Sequence, residues 1–167
     1  FGHKMPPKRH EWRKKQRFEM NVRRLREELE RNPDDARCLQ YMGNTLLDAG
    51  KEKQSLPWYK RFLKVCDPKK FPLADRYAAM NRIGQIVYAA RKSDADIVKA
   101  KEWIYRAVED SPARAEAYWM LGVIAEHAED WDRAIHWHDL AAQQKVPSMP
   151  SGFHNVAVYA RAPWVGM

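Results

Sequence analysis

Three segments of the chain repeat one arrangement of apolar residues around a glycine. In each, a large apolar residue is followed three positions later by a second apolar residue and then by glycine. The segments are Leu39-x-x-Met42-Gly43, Met80-x-x-Ile83-Gly84 and Tyr118-x-x-Leu121-Gly122. This spacing places the apolar residues on one face of a helix. Each segment therefore predicts a helix whose glycine lets a second helix come close.

A second helix is predicted after each of these segments. Small residues that let two helices pack closely stand at Ser55, Ala100 and Ala134, and Pro68 and Pro112 end the first two of these helices. The small residue follows the glycine by 12 residues in the first and third copies and by 16 in the second. The difference predicts an insertion within the turn of the second hairpin, in the stretch ARKSDADI.

The segments that flank the three hairpins have patterns of their own. A helical face between residues 11 and 31 is formed by Phe18, Val22, Leu25 and Leu29. After Lys145 the chain becomes rich in proline and glycine, and we expect its apolar residues between 153 and 164 to pack as a lid. We therefore predict a basic arm or linker at 1–17, three repeats with an N-terminal capping helix at 18–146, and a tail at 147–167 that packs on the last repeat.

The hairpin pattern resembles the tetratricopeptide repeat over about residues 33–146. The glycine, the small residue twelve positions later and the closing proline match the consensus of that repeat. The resemblance implies an all-α fold, an α-solenoid of helical hairpins. The glycines are 41 and then 38 residues apart, longer than the usual 34-residue period. Another kind of helical hairpin array is the alternative.

Two longer stretches are similar to the region that follows the catalytic domain in bacterial and phage family-two glycosyltransferases. The first stretch, Arg24–Val65, contains the sequence NPDD and, further on, the adjacent residues Trp58 and Tyr59. The second stretch, Ser111–Trp164, contains the pattern P-x-R-A-E-x-Y and a proline-rich tail. The resemblance implies a separate catalytic α/β domain upstream, which binds a divalent metal and a sugar nucleotide. Because the first residue is Phe1 and not methionine, we also expect this chain to be part of a longer protein.

No catalytic, metal or cofactor site is predicted within the chain. Two Asp-x-Asp triplets, at residues 94–96 and 130–132, fall in predicted turns and are interpreted as helix-capping or solvated acids. His136 and His138 are two positions apart, so their side chains diverge and do not form a metal pair. Cys38 and Cys66 are interpreted as buried, reduced thiols. With no apolar run near 18 residues and no signal peptide, a cytoplasmic location is expected.

The formal net charge of +8 is concentrated at the N-terminus. Residues 1–17 contain seven Lys or Arg and one acid, a balance of +6. Such an arm can neutralise the phosphates of nucleic acid or anionic lipid. A solvated linker or the start of a charged helix is the simpler interpretation, because no nucleic-acid-binding motif follows.

The first helix of each hairpin is expected to line the inner surface of the array. Candidate residues for a ligand or partner groove on that surface are Arg37, Gln40, Asn44, Asn81, Arg82, Gln85, Tyr88, Trp119 and His127. Their amides suit a peptide backbone or sugar hydroxyls, and Tyr88 and Trp119 offer aromatic faces. A solvated groove with no ligand is the alternative. Glutamine at position 40 replaces the lysine that chaperone-tail capture needs, so that function is disfavoured.

These observations predict a non-catalytic binding or scaffold module. The resemblance favours the C-terminal repeat region of a glycosyltransferase, which positions an acceptor or a partner. A free-standing protein–protein interaction scaffold in a larger assembly is the alternative. The expected partner is a protein, a peptide or a glycan acceptor, and homo-oligomerisation is possible. Nucleic acid is considered only through the arm at 1–17.

Overall fold

The chain folds into helices throughout the part described by the computed structural model, which comprises residues 7–145 and Val158, with side chains from Glu11 onward. Seven α-helices and no strands occur among these residues, so the predicted all-α class is confirmed. The helices are α1 (Pro7–Arg31), α2 (Ala36–Asp48), α3 (Glu52–Val65), α4 (Leu73–Ala89), α5 (Asp94–Asp110), α6 (Ala115–His127) and α7 (Trp131–Ala142). The described residues form two compact units, with the boundary between Val65 and Cys66.

The first unit contains α1 and the hairpin of α2 and α3. Helix α1 begins at Pro7, so the predicted boundary between residues 17 and 18 falls inside a continuous helix. Its predicted apolar face packs on α2, with Leu29 buried and Phe18, Val22 and Leu25 half-buried. Helix α2 begins where Asp35 accepts a hydrogen bond from the backbone N–H of Cys38 (2.8 Å), which satisfies one of the free N–H groups of the first turn.

The second unit contains two hairpins, α4 with α5 and α6 with α7. Helix α6 also packs against both α4 and α5. The insertion predicted in the second hairpin is divided between turn and helix. The turn at 90–93 is one residue longer than the turns at 49–51 and 128–130, and α5 starts three residues earlier relative to its small residue than α3 or α7 does. Most of the extra residues therefore lengthen a helix, because Ser93 and Asp96 support an additional turn.

All three repeat glycines lie where a second helix comes close, as predicted. A Cβ atom on Gly43 would stand 2.8 Å from the Tyr59 ring, and one on Gly84 would stand 2.5 Å from Ile104 Cγ1. A Cβ atom on Gly122 would stand 2.4 Å from His138 Cε1. The glycines thus determine how closely the two helices of each hairpin approach.

One residue of the predicted tail is described. Val158 is helical and buried, and it packs in a cluster with Ala115 at the start of α6 and Ala141 near the end of α7. The other residues of the predicted lid lie outside the described part of the chain. None of the described helices is both long and apolar enough to cross a membrane.

Candidate functional site

Helices α4 and α6, the first helices of their hairpins, are hydrogen-bonded to each other near both ends. The Tyr77 hydroxyl donates to Glu116 Oε2 (3.2 Å) and accepts from the backbone N–H of Ala117 (2.9 Å). Eleven residues further along α4, the Tyr88 hydroxyl lies 2.7 Å from His127 Nδ1. The paired residues are separated by 39 or 40 positions at both ends. The two helices therefore run parallel, in one register.

The hydrogen bonds at the N-terminal ends belong to a buried polar network. Arg114 donates to both carboxylate oxygens of Glu116, through Nε (3.3 Å) and Nη2 (3.0 Å). Its guanidinium also lies 4.7 Å from the centroid of the Tyr77 ring. Burial and the adjacent Glu116 charge raise the pKa of the Tyr77 hydroxyl, so the hydroxyl stays protonated and able to donate. This network holds the helices together, and both carboxylate oxygens of Glu116 accept hydrogen bonds within it.

Tyr88 is enclosed at the C-terminal ends of the same helices. The His127 ring stacks on it with centroids 5.8 Å apart, and the Arg91 guanidinium lies 3.9 Å from its centroid. Only 4% of Tyr88 is exposed. The sequence suggested that Tyr88 offers an aromatic face to a ligand, but this ring is already covered by Arg91 and His127. Of the three side chains, His127 and Arg91 are the exposed ones.

Between these two ends, α4 presents two amides that are one helical turn apart. Asn81 is buried, and its Oδ1 atom has no hydrogen-bond partner among the described residues. Gln85 is half-buried, and so is Arg82. A buried acceptor without a donor costs about 1–3 kcal/mol. Asn81 Oδ1 is therefore a hydrogen-bond acceptor on this face that the fold leaves without a donor.

On α6, Trp119 and Val123 are both half-buried. Trp119 packs against the cluster of Ala115, Ala141 and Val158. Part of the Trp119 ring, the second predicted aromatic face, therefore packs against the cluster that contains Val158 of the C-terminal tail.

The candidate residues of the first unit are placed on α2. Arg37 is exposed and Gln40 is buried. Asn44 Oδ1 accepts a hydrogen bond from the hydroxyl of the buried Tyr59 (2.8 Å), so its amide is involved in holding α2 against α3. Whether any of the candidate residues in either unit binds a ligand stays a prediction.

The Asp-x-Asp triplets lie at helix starts, as predicted. Asp130 Oδ1 accepts from the backbone N–H of Arg133 (3.2 Å) at the start of α7. Asp96 Oδ2 accepts from the Lys92 N–H and the Ser93 hydroxyl, both at 3.1 Å, and these bonds lower the pKa of the Asp96 carboxyl. No group of three or more possible metal ligands occurs among the described residues.

The described cysteine and histidine side chains are also either at least half-buried or in contact with another side chain. Both cysteines are free, and Cys66 is buried as predicted, whereas Cys38 is only half-buried. Burial is the main cause that raises the pKa of both thiols. His136 packs edge-on against Trp137, whereas His138 Nε2 lies 3.0 Å from Glu126 Oε1. The two histidines therefore diverge, as the spacing predicted.

Two features of this face were not predicted from the sequence. Arg91 lies over Tyr88, and Arg114 with Tyr77 forms the buried network. A charged residue at the end of a predicted helix is ordinarily interpreted as solvated, so Arg91 and Arg114 gave no sign of these roles. Arg114 and Tyr77 become neighbours only when α4 and α6 align, whereas Arg91 and Tyr88 are three residues apart in the chain.

No protein-family model matches the chain, and no curated protein matches it. The fold is similar to solved structures of MamA, which has a tetratricopeptide-like helical repeat fold. One MamA structure aligns with a TM-score of 0.64 and 22% identity over 80% of this chain and 71% of that one. A second aligns with a TM-score of 0.62 and 20% identity over 79% and 66%. MamA from Desulfovibrio magneticus RS-1 gives 0.60 and 22% over 75% and 64%.

At these identities the similarity establishes the fold alone. The tetratricopeptide-like architecture predicted from the three glycine segments is therefore confirmed. The chain spans about two thirds of the length of the MamA chains, between 64% and 71% in the three alignments.

Proposed function

We propose that this chain is a non-catalytic helical-repeat scaffold that binds an extended segment of a protein partner along the inner face of α4 and α6. The observation that carries the proposal is the fixed pairing of α4 and α6. Two parallel helices are fixed to each other at both ends, and the side chains between those ends include an amide with an unsatisfied acceptor. A binding surface held by rigid elements needs little reorganisation when a ligand arrives.

The spacing of the two amides suits an extended peptide that lies along α4. Asn81 and Gln85 are four residues apart, which is about 6 Å along a helix axis at 1.5 Å per residue. Every second residue of an extended chain advances by about 6.6 Å. Successive backbone groups on one edge of a peptide therefore match the spacing of the two amides. The half-buried Gln85 is reached directly, and a peptide N–H supplies the donor that the enclosed Asn81 Oδ1 lacks once the Asn81 side chain turns outward.

A peptide fits this face better than a glycan does. Sugar recognition relies on an open aromatic ring, but Tyr88 is enclosed and Trp119 packs against the Val158 cluster. Besides the half-buried Val123, the accessible side chains of these two helices include three that are polar or charged, namely Gln85, Arg82 and His127. They favour the backbone and side chains of a polar peptide.

A random linear-peptide library selected on the full chain tests this function. Peptides enriched on the wild-type chain should bind the Asn81→Leu variant about 5- to 150-fold more weakly, because a lost hydrogen bond in a buried site costs about 1–3 kcal/mol. Gln143→Leu, an amide-to-leucine change at an exposed site after α7, is the matched control and should bind normally. If no peptide is enriched, or if the peptides bind both variants as they bind the wild type, the proposal is wrong.

The attachment of this scaffold to a glycosyltransferase rests on the sequence resemblance alone and stays a prediction. The mass of the intact protein from its source tests it. An additional catalytic domain would add roughly 100–200 residues or more to the mass of this chain. Sugar-nucleotide hydrolysis by that longer protein would then support the attachment, and its absence would contradict it.

A further inference from the structure

A basic groove lies between α1 and α2 in the first unit, well apart in sequence from the inner face of α4 and α6. We call it the α1–α2 groove. Its volume is about 480 Å³, within the range of about 300–1,000 Å³ that is typical of binding pockets. Phe18 and Ala49 supply apolar lining, and Lys51 Nζ lies 5.4 Å from the centroid of the Phe18 ring.

Positive charge predominates around this groove. Lys14, Lys15 and Arg17 of α1 line it together with Lys51, against the two acids Glu11 and Asp48. All four cationic side chains are exposed. The groove therefore combines an apolar lining with excess positive charge, and its complement is an apolar side chain flanked by carboxylates.

The second unit carries a surface of that complementary kind at the turn between α6 and α7. We call residues 126–135 the α6–α7 turn. Trp131 is 62% exposed and Ile135 is 61% exposed, one helical turn apart on α7. Glu129 and Asp132 flank Trp131 and are exposed. Trp131 and Ile135 therefore form an exposed apolar pair with two exposed carboxylates beside it.

We propose that the α1–α2 groove binds the α6–α7 turn of a second copy of this chain, with Trp131 entering the groove and Glu129 and Asp132 facing its cations. Charge complementarity carries the proposal. Exposed positive residues surround an apolar groove in one unit, and exposed negative residues surround an apolar side chain in the other. Burying an indole removes about 150–250 Å² of surface from water, and the opposite charges direct its approach.

The contact joins two different surfaces of the chain. A pair of copies joined by one such contact still has one free groove and one free turn, so association continues unless the same two copies form both contacts or the copies close into a larger ring. Because exposed opposite charges contribute to it, the association should weaken as salt is added.

Two double charge reversals test the contact on the full chain. The groove variant is Lys14→Glu with Arg17→Glu, and the turn variant is Glu129→Lys with Asp132→Lys. All four positions are exposed, and circular dichroism checks that each variant folds. Sedimentation of the wild type should show concentration-dependent association, and each variant alone should associate at least about tenfold more weakly, because like charges now meet.

Mixing the two variants is the decisive step. The groove variant keeps a wild-type turn and the turn variant keeps a wild-type groove, so the mixture should regain association that neither variant shows alone. Lys64→Glu with Lys69→Glu is the control of equal charge at other exposed positions, and it should associate like the wild type.

Several outcomes would overturn the proposal. One is a wild type that stays monomeric at all accessible concentrations, including a monomer that binds duplex DNA or an acidic peptide through the groove cations. A second is association lost in the groove variant but retained in the turn variant. A third is a mixture of the two variants that stays dissociated.

Discussion

Each hairpin closes on a contact between a glycine and one large side chain, and that side chain differs from hairpin to hairpin. Gly43 lies against the fully buried ring of Tyr59, Gly84 against the fully buried Ile104, and Gly122 against the partly exposed ring of His138. The same position in the repeat therefore has a different capacity to accommodate a larger residue.

Gly84→Ala should destabilise the chain more than Gly122→Ala. The new methyl group at position 84 meets Ile104 Cγ1 at 2.5 Å and the Ala100 carbonyl oxygen at 3.1 Å, and neither can move aside freely. Overpacking of about 1–3 kcal/mol should exceed the roughly 1 kcal/mol that alanine gains over glycine in a helix. The His138 side chain is 29% exposed and can rotate into solvent. Urea unfolding measures both, and an equal or larger loss for Gly122→Ala would contradict this account.

The Tyr77 hydroxyl should contribute to stability through its two hydrogen bonds. Tyr77→Phe removes the acceptor of the Ala117 N–H and the donor to Glu116 Oε2 in a buried site. We expect the free energy of unfolding to fall by about 1–3 kcal/mol. Tyr105→Phe is the control, since Tyr105 is exposed, and it should change stability by less than about 0.5 kcal/mol. Equal effects of the two substitutions would show that the buried network adds no stability.

Asp110 should make the second unit less stable as the pH rises. Burial raises the pKa of its carboxyl, and the Arg76 guanidinium at 3.1 Å offsets only part of that effect. A carboxyl with a raised folded-state pKa contributes stability that is complete below the unfolded-state pKa and is lost as the pH rises through the folded-state pKa. Asparagine does not titrate. The Asp110→Asn variant should therefore gain stability relative to the wild type between about pH 3 and about pH 7.

Chemical unfolding of both proteins at the two pH values measures this difference. A variant that loses stability relative to the wild type as the pH rises would mean that pairing with Arg76 outweighs burial. This effect could not be predicted from the residues alone, because the burial of Asp110 depends on α5 packing within the second unit.

At the scale of the helix, the starts of α2 and α7 are explained by residues that the sequence displays. Asp35 and Asp130 each accept a hydrogen bond from a backbone N–H in the first turn of the following helix. Both could be predicted, because acids before an apolar stripe are typical helix caps. The start of α1 was harder to place, since residues 7–17 have no apolar face and charged residues are compatible with either a linker or a helix.

Asp35→Ala should destabilise the start of α2. The substitution leaves the Cys38 N–H without the acceptor that now lies 2.8 Å away, at an expected cost of about 0.5–2 kcal/mol. Asp35→Asn keeps a side-chain oxygen and should retain most of the stability. Thermal unfolding of the two variants separates capping from charge, and equal losses would show that the carboxylate charge is what matters.

At the scale of the whole molecule, the repeat pattern predicted the architecture because the spacing of apolar residues and glycines directly reflects contacts within each hairpin. The same register predicted which residues lie on the inner face. It did not predict which of their side chains are accessible to a ligand. Gln40 and Tyr88 are buried and Asn44 accepts from Tyr59. Tyr88 is enclosed in part by His127, 39 residues away, and such pairings are not visible in a single repeat.

Photo-cross-linking in the source organism tests the central claim most directly. A photoreactive residue replaces Gln85, on the inner face of α4, or Glu102, which is exposed on α5. The account predicts that a protein partner is cross-linked from position 85 and not from position 102, and that Asn81→Leu reduces the yield at position 85. Equal yields at the two positions, or a yield at position 85 that Asn81→Leu leaves unchanged, would contradict it.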